Sequence, residues 1–204
     1  MNFIELKKRI DEKGFSYSEY LDKTIEEIAT TRIENLADKE AKRFHFKTLN
    51  LQRSSRISRI YKPNDELKKA LREISEQQLW MIITENWCGD SAQNLPYIVT
   101  IALENPLIEL KILLRDSNPD VMDQFLTNGT MSIPKLVAFN SEGHELFRWG
   151  PRPQLAVKLI NEWKSDGLEK SEWTEKLHLW YARNKGEELE KEFIHLIKKT
   201  ELTH

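Results

Sequence analysis

Residues 79–91 read LWMIITENWCGDS, and this stretch decides the fold. Its first part, residues 79–84, is a short continuous apolar run, which is typical of a strand buried on both faces. A helix is predicted over residues 90–104, so Cys88 lies at the turn between strand and helix. Free backbone N–H groups at a helix N-terminus stabilise a thiolate. The position predicts a nucleophilic thiol with a lowered pKa; the alternative is a small buried hydrophobe, as most free cysteines are.

Further strands and helices follow in alternation. Apolar runs predict strands at 108–114 and 136–139, with a helix over 118–126 between them. The first two strands are expected to be parallel neighbours, because a helical crossover joins them. A tight loop at 140–143 predicts an antiparallel hairpin between 136–139 and 145–149. A helix over 153–164 completes an α/β unit with a mixed sheet.

Helices are predicted on both sides of this unit. Before it, the spacing of apolar residues and capping signals predicts helices over 3–12, from Ser16 onward, over 37–61 and over 65–77. After it, two amphipathic helices cover about 173–181 and 189–197. Neither could stand alone in water. We expect them to pack on the N-terminal helical segment, and a dimer interface is the alternative.

Composition excludes several classes of protein. The 204 residues include 7 Gly, 7 Pro and one Cys, which excludes collagen-like chains, disulfide scaffolds and zinc sites built on thiolates. The longest apolar run is far too short to span a bilayer, so no membrane association is expected. The N-terminus does not resemble a signal peptide, which predicts a cytoplasmic location. The five His residues, at 45, 144, 178, 195 and 204, lack ligand spacing and indicate no metal site.

The net charge is -2, but basic residues concentrate between positions 41 and 62. This segment contains Lys42, Arg43, Lys47, Arg53, Arg56, Arg59 and Lys62 and no acidic residue. Such a stretch could bind nucleic acid or an acidic partner. The favoured interpretation is a solvated helix face, or a helix lying against the acidic remainder, so nucleic-acid binding is not expected.

Several motifs resemble those of the thioredoxin superfamily. They are Trp87-Cys88-Gly89 at the strand-to-helix turn, Pro96 eight residues after the Cys, Ser132-Ile133-Pro134 before a strand, and Trp149-Gly150 at the hairpin end. The chain is similar, more narrowly, to a bacterial thioredoxin-like subfamily that has a Trp-Cys-Gly-Asp-Ser motif with a single Cys and helical extensions. Its motifs correspond to Asn86–Asp90, Leu114–Asp116, Ile133–Lys135 and Trp149–Pro153.

The resemblance implies a thioredoxin-like α/β fold, in which helices flank a mixed sheet and further helices lie at both ends of the chain. The predicted divisions are a helical N-terminal extension over 1–63, a thioredoxin-like domain over 64–165 and a C-terminal helical extension over 166–204. The C-terminal extension is expected to pack on the rest of the chain as one composite body.

The resemblance also implies roles for individual residues. Cys88 would be the catalytic thiolate, and Ser91 would donate a hydrogen bond to it. Pro134 would be cis and face the thiol, so that the backbone of Ile133 pairs with an extended peptide or a thiol cofactor; the alternative is a plain turn residue. Trp87 is either a platform for substrate or part of the core.

Departures from the family pattern limit the chemistry. Ser91 stands where thioredoxins have the resolving Cys, and Ile82 stands where they have a buried acid. Asp90 replaces the usual Pro; its carboxylate suits the first turn of a helix but opposes thiolate formation. We therefore expect a thiol less acidic than in a strongly oxidising relative. Arg152 is either part of a turn or the holder of a carboxylate near the site.

Two functions follow as hypotheses. In the first, the protein is a monothiol thiol-disulfide oxidoreductase that attacks a protein or low-molecular-weight disulfide through Cys88. An external thiol, such as glutathione or an equivalent, would release it, and no resident cofactor is expected. In the second, the protein is a redox-inactive thioredoxin fold that binds peptides or proteins in the groove between Trp87, Pro134 and the hairpin. Cys88 at the helix start favours the first, whereas Ser91 and Ile82 favour the second.

Overall fold

The computed structural model describes residues 1–201 of the 204-residue chain. Residues 202–204, which include His204 and the end of the predicted C-terminal extension, lie outside the described residues. Within the described part, no helix is long and apolar enough to cross a membrane.

Four strands form one mixed sheet in the order β2-β1-β3-β4. Strand β1 pairs with β2 in parallel and β3 pairs with β4 in antiparallel, as predicted. Strand β1 also pairs with β3 in antiparallel, a neighbour that the sequence patterns do not specify. Helices cover both faces, and additional helices precede and follow the unit. The strands are β1 (Gln78–Thr84), β2 (Ile108–Leu114), β3 (Lys135–Asn140) and β4 (Glu145–Trp149).

Nine α-helices lie in the described part of the chain. Side chains of Asn2, Ser16 and Asn64 cap the helices that follow them by accepting a backbone N–H three residues on. The helices are α1 (Phe3–Lys13), α2 (Tyr17–Thr30), α3 (Asp38–Ile60), α4 (Asp65–Glu73), α5 (Gly89–Leu103), α6 (Pro119–Met122), α7 (Gln154–Ser165), α8 (Lys170–Asn184) and α9 (Glu187–Glu201).

Two helices are shorter than the sequence predicts. Helix α4 ends at Glu73 rather than near residue 77, where the Asn105 side chain binds the carbonyls of Leu71 and Ile74 and takes the place of further helical hydrogen bonds. Helix α6 ends at Met122, and the chain then turns through a small bridge between residues 127 and 130. Local backbone competition, rather than hydrophobic periodicity, sets both ends.

Side chains of β1 alternate between two cores, as the pleat requires. Trp80 and Ile82 face helices α4, α5 and α9, whereas Leu79, Met81 and Ile83 face α1 and α6. All five are buried, which confirms a strand covered on both faces. The strand ends at Thr84, which is fully buried and lies four residues before Cys88.

The C-terminal helices pack on the sheet unit and, through α4, on the helices that precede it, so the expectation that they pack on the N-terminal helical segment is met in part. Helix α9 lies against α4 and β4, and α8 lies against α7. The cause is the aromatic face of α9: the ring of Phe193, fully buried, lies 5.7 Å from that of Trp80 and 5.8 Å from that of Trp149. A polar contact adds to the packing on α4, because Tyr61, just before that helix, donates to Glu190.

Candidate thiol site

Three segments meet at the thiol of Cys88. The residue is the N-cap of α5, directly after β1, and its side chain is half-buried. Its Sγ lies 3.4 Å from the carbonyl oxygen of Ile133 and donates to it. The peptide bond between Ile133 and Pro134 is cis. The structure therefore brings together the residues that sequence reasoning assigned to the site from positions 45 residues apart.

The pKa of the Cys88 thiol is raised above its ordinary value. Burial is the largest cause, and the carboxylate of Asp90 adds to it. The Ser91 hydroxyl and the backbone N–H groups of Ser91 and Asp90 act in the opposite direction. The prediction of a lowered pKa is therefore wrong: the helix N-terminus does stabilise the thiolate, but desolvation outweighs it.

The Ser91 hydroxyl, three residues after Cys88, is held in place by a hydrogen bond from a buried side chain. Ser91 is only 2% exposed, and its oxygen accepts a hydrogen bond of 2.5 Å from the hydroxyl of Thr84, the last residue of β1. That bond leaves the Ser91 proton free to point at the Cys88 sulfur. The interior of the site therefore contains the hydroxyl groups of Thr84 and Ser91. A disulfide within the chain would need a second thiol at that place.

The carboxylate of Asp90 has two partners from distant parts of the chain. Arg152, in the turn after β4, approaches with Nε 2.9 Å from Oδ1 and Nη2 2.5 Å from Oδ2. Tyr181, on α8, donates to Oδ1 at 3.0 Å and accepts from the amide of Asn94. Arg152 does hold a carboxylate near the thiol, and that carboxylate belongs to this chain.

Sequence reasoning missed Tyr181 as a site residue, although the helix predicted over about 173–181 includes it. A buried Tyr needs a partner for its hydroxyl, and this signal could have singled it out. His178, one helical turn before it, was missed as well. Its Cε1 lies 3.6 Å from where a Cβ would stand on Gly89, and its Nδ1 is buried without a hydrogen-bond partner among residues 1–201. Burial, together with the charge of Arg53, lowers the pKa of His178.

The indole of Trp87 is in contact with two guanidinium groups. Those of Arg43, from α3, and Arg115, after β2, each lie 4.9 Å from the ring centroid. Beside the ring a cleft of about 420 Å³ opens between α2, α3 and the strand ends, lined by both acids and bases. Trp87 is partly exposed there, so it can contact a bound molecule as well as the core.

The N-terminal helices hold the loop that carries the motif. The side chain of Asn50, on α3, donates to the carbonyl of Asn86, and the side chain of Asn86 donates to Glu27 on α2. Lys47 forms an ion pair with the same Glu27. Part of the basic segment 41–62 is therefore engaged inside the molecule, around Trp87 and Glu27, which agrees with a helix lying against acidic groups.

Gly150 allows the hairpin end to lie against the cis proline. Its φ is +107°, and a Cβ built on it would lie 2.2 Å from the carbonyl oxygen of Pro134. Only glycine fits this approach and this backbone conformation. The turn that starts at Gly150 carries Arg152 to Asp90. Among residues 1–201, no group of three or more His, Cys, Asp or Glu side chains could hold a metal ion.

Comparison with known proteins identifies the family. A family model described as thioredoxin matches residues 38–164. Among solved structures, a protein of unknown function from Pseudomonas aeruginosa is 20% identical with a TM-score of 0.53, over 91% of this chain and 98% of that chain. An HIV epitope-scaffold is 19% identical with a TM-score of 0.51, over 91% and 99%. These two show the fold alone, and no curated protein is significantly similar. The chain belongs to the thioredoxin family that the match over residues 38–164 describes.

Proposed function

We propose that this protein is a monothiol thiol-disulfide exchange protein that uses Cys88 as its nucleophile. The observation that carries the proposal is the position of Sγ, at the N-terminus of α5 and 3.4 Å from the Ile133 carbonyl beside cis Pro134. An extended peptide or a small disulfide that binds beside the Ile133 carbonyl would lie next to the Cys88 sulfur. Trp87 is the platform on the other side. The proposed setting is the reducing cytoplasm.

Two exchange steps make up the proposed reaction. The Cys88 thiolate attacks one sulfur of a disulfide; a new S–S bond forms, the old one breaks, and the released thiolate takes up a proton. An external thiolate, such as that of glutathione, then attacks the partner's sulfur in the mixed disulfide. Cys88 leaves as a thiolate, stabilised by Ser91 and the helix N–H groups, and a new disulfide of the two external thiols results. No electron acceptor beyond the substrate disulfide is required.

The raised pKa of the Cys88 thiol limits the rate of this reaction. At neutral pH most of the Cys88 thiol is protonated, so attack is slow and accelerates as the pH rises. A thiol of high pKa is also a poor leaving group, which makes the mixed disulfide long-lived. Without a second Cys in the chain, release waits for an external thiol.

A second candidate is a binding module without redox chemistry. The raised pKa of Cys88 and the hydroxyl at position 91 favour it, because both lower the reactivity of the site. In this case the groove beside Trp87 and Pro134 would hold a peptide without a covalent bond. Cys88→Ser would then leave binding intact.

The test follows the reaction of the reduced protein with glutathione disulfide between pH 7 and 10 by intact mass. We expect one glutathionyl group per chain, a rate that increases with pH, and reversal by reduced glutathione. Cys88→Ser is the control for site identity, and Ser91→Ala should react more slowly at each pH below the thiol pKa. A folded protein that does not react at any of these pH values, but reacts once urea unfolds it, would contradict the exchange function and support the binding module.

A further inference from the structure

A second cavity lies outside the thiol site, at the open edge of the sheet. It has a volume of about 370 Å³ and is bounded by the end of β4, the turn at Gly150 and helix α9. A volume of this order is typical of small-molecule pockets. Neither Cys88 nor Trp87 lines it. No function discussed above makes use of it.

One wall of this cavity carries a buried cation without a partner. Lys135 is 6% exposed, and its ammonium group forms no hydrogen bond or ion pair with any residue between 1 and 201. Burial lowers its pKa. A desolvated ammonium group costs free energy unless an anion compensates it. Glu145 compensates the charge of Lys135 only from a distance, and the nitrogen keeps some contact with the water of the cavity. An anion that enters the cavity can therefore reach this ammonium group and pair with it.

The other cations on the wall are already compensated. Arg148 binds both carboxylate oxygens of Glu145, and Lys191 forms an ion pair of 2.5 Å with Glu188. Arg148 and Lys191 contribute positive charge to the cavity wall, but each already has an acidic partner in the protein. Lys135 is the cation that a ligand would satisfy.

The remaining wall limits the ligand's charge and supplies an apolar contact. Trp149 and Leu196 offer apolar surface. The Glu192 carboxylate is fixed by the Trp149 indole N–H at 2.6 Å and the Gln154 backbone N–H at 2.5 Å. A fixed carboxylate repels a second negative charge, so a dianion such as phosphate fits less well than a monoanion.

The geometry points to a binding site for a small monocarboxylate with an apolar body, its carboxylate on Lys135 and its body against Trp149 and Leu196. The site adjoins the thiol site through the backbone. Lys135 follows cis Pro134, and Gly150, which lines the cavity, lies against the Pro134 carbonyl. The proposal is independent of whether Cys88 exchanges disulfides.

The test is a calorimetric titration of the full chain with three probes: phenylacetate, its neutral analogue phenylacetamide, and inorganic phosphate. We expect phenylacetate to bind at least tenfold more tightly than either of the others. Lys135→Met, which keeps the length and apolar stem of the side chain, should weaken phenylacetate binding at least tenfold. It should not lower thermal stability, because the ammonium group has no hydrogen bond or ion pair to lose within residues 1–201. Lys158→Met, at an exposed lysine on α7, is the matched control and should bind as the unaltered protein does.

Equal affinity for phenylacetate and phenylacetamide would overturn the proposal, since the carboxylate would then contribute nothing. Unchanged phenylacetate binding in Lys135→Met would overturn the role of that lysine, and tighter binding of phosphate would overturn the preference for a monoanion. Perturbation of the Trp149 indole N–H signal in NMR spectra locates the probe; a bound probe that leaves this signal unmoved would also contradict the proposal.

Discussion

The guanidinium of Arg152 forms a two-point ion pair with the carboxylate of Asp90, one residue after the end of the thiol turn. Both side chains are largely shielded from water, with 27% and 13% of their surfaces exposed. The pair compensates the negative charge that opposes thiolate formation at Cys88. Arg152→Met should therefore raise the Cys88 pKa further and lower the free energy of unfolding by about 3 kcal/mol, since it leaves a shielded carboxylate unpaired. Urea unfolding and the rate of thiol modification measure the two effects.

A double-variant cycle provides the control for that pair. If Asp90→Asn in the Arg152→Met background recovers most of the lost stability, the loss came from the unpaired charge. If the two losses add, the packing of the arginine stem is the cause instead.

Asp90→Asn alone should make Cys88 react faster. The carboxylate is the second largest cause of the raised pKa, after burial, and an amide keeps the oxygen that accepts from Tyr181. Removal of the charge lowers the thiol pKa, so a larger fraction is ionised at a given pH. We expect modification at pH 7.5 to accelerate on the order of threefold. An unchanged rate would show that burial alone controls this thiol.

Ser91→Cys should change the product of the reaction with glutathione disulfide. Ser91 lies in the first turn of α5, three residues after Cys88, and its hydroxyl stabilises the Cys88 thiolate, so a thiol at position 91 can attack the mixed disulfide from within. We expect an internal disulfide and free glutathione, in place of the glutathionylated protein. Ser91→Ala, which cannot resolve the adduct, is the matched control. An adduct that persists equally in both variants would contradict the orientation described for residue 91.

Glu85→Gln should stabilise the protein near neutral pH but not in acid. Burial is the largest cause of the raised pKa of Glu85, so the folded protein holds this proton more tightly than the unfolded chain does. The resulting stabilisation is complete below the ordinary pKa of 4.5 and is lost as the pH rises through the higher folded value. A glutamine keeps the oxygen that accepts the Asp116 N–H. We expect a gain in the free energy of unfolding at pH 7 and none at pH 4. Urea unfolding at pH 7 and pH 4 tests it, and a gain of equal size at both would contradict the assignment.

Phe193→Ala should destabilise the sheet unit, although it lies in the last helix. Its ring is fully buried against Trp80, Trp149 and Phe147, so truncation removes a large apolar contact and leaves a cavity. We expect a loss of about 3 to 5 kcal/mol. Leu179→Ala, at a half-exposed position of α8, is the control and should cost little. If the two losses are similar, α9 does not contribute to the core as described.

Local patterns predicted most of the fold. The apolar run at 79–84 predicts a buried strand, and the capping signal at Ser16 predicts the start of a helix. The structure has both. Patterns did not predict which faces meet: Ile25 belongs to the apolar stripe of α2 yet is 49% exposed, because α2 buries Tyr20 and Thr24 instead. Likewise, the apolar residues of α9 predict a buried helix face but not that this face packs against α4 and β4.

For the candidate site, the sequence identified the residues near the thiol but not the balance of forces on it. The motif places Cys88, Asp90 and Ser91 by chain connectivity alone. The degree of burial depends on elements far away in the chain, and it reverses the predicted pKa direction. Tyr181 and His178 reach the site because α8 packs beside it, and the spacing of residues along the sequence does not predict that packing.

The packing of α9 on β1 has a consequence for synthesis. Trp80 leaves the ribosome roughly a hundred residues before Phe193 does. Throughout that interval the part of this face that α9 covers stays exposed, although α4 and α5 can already pack on it, and nascent chains with exposed apolar surface recruit chaperones or aggregate. The sheet unit that carries Cys88 thus completes its core only after translation has passed α9.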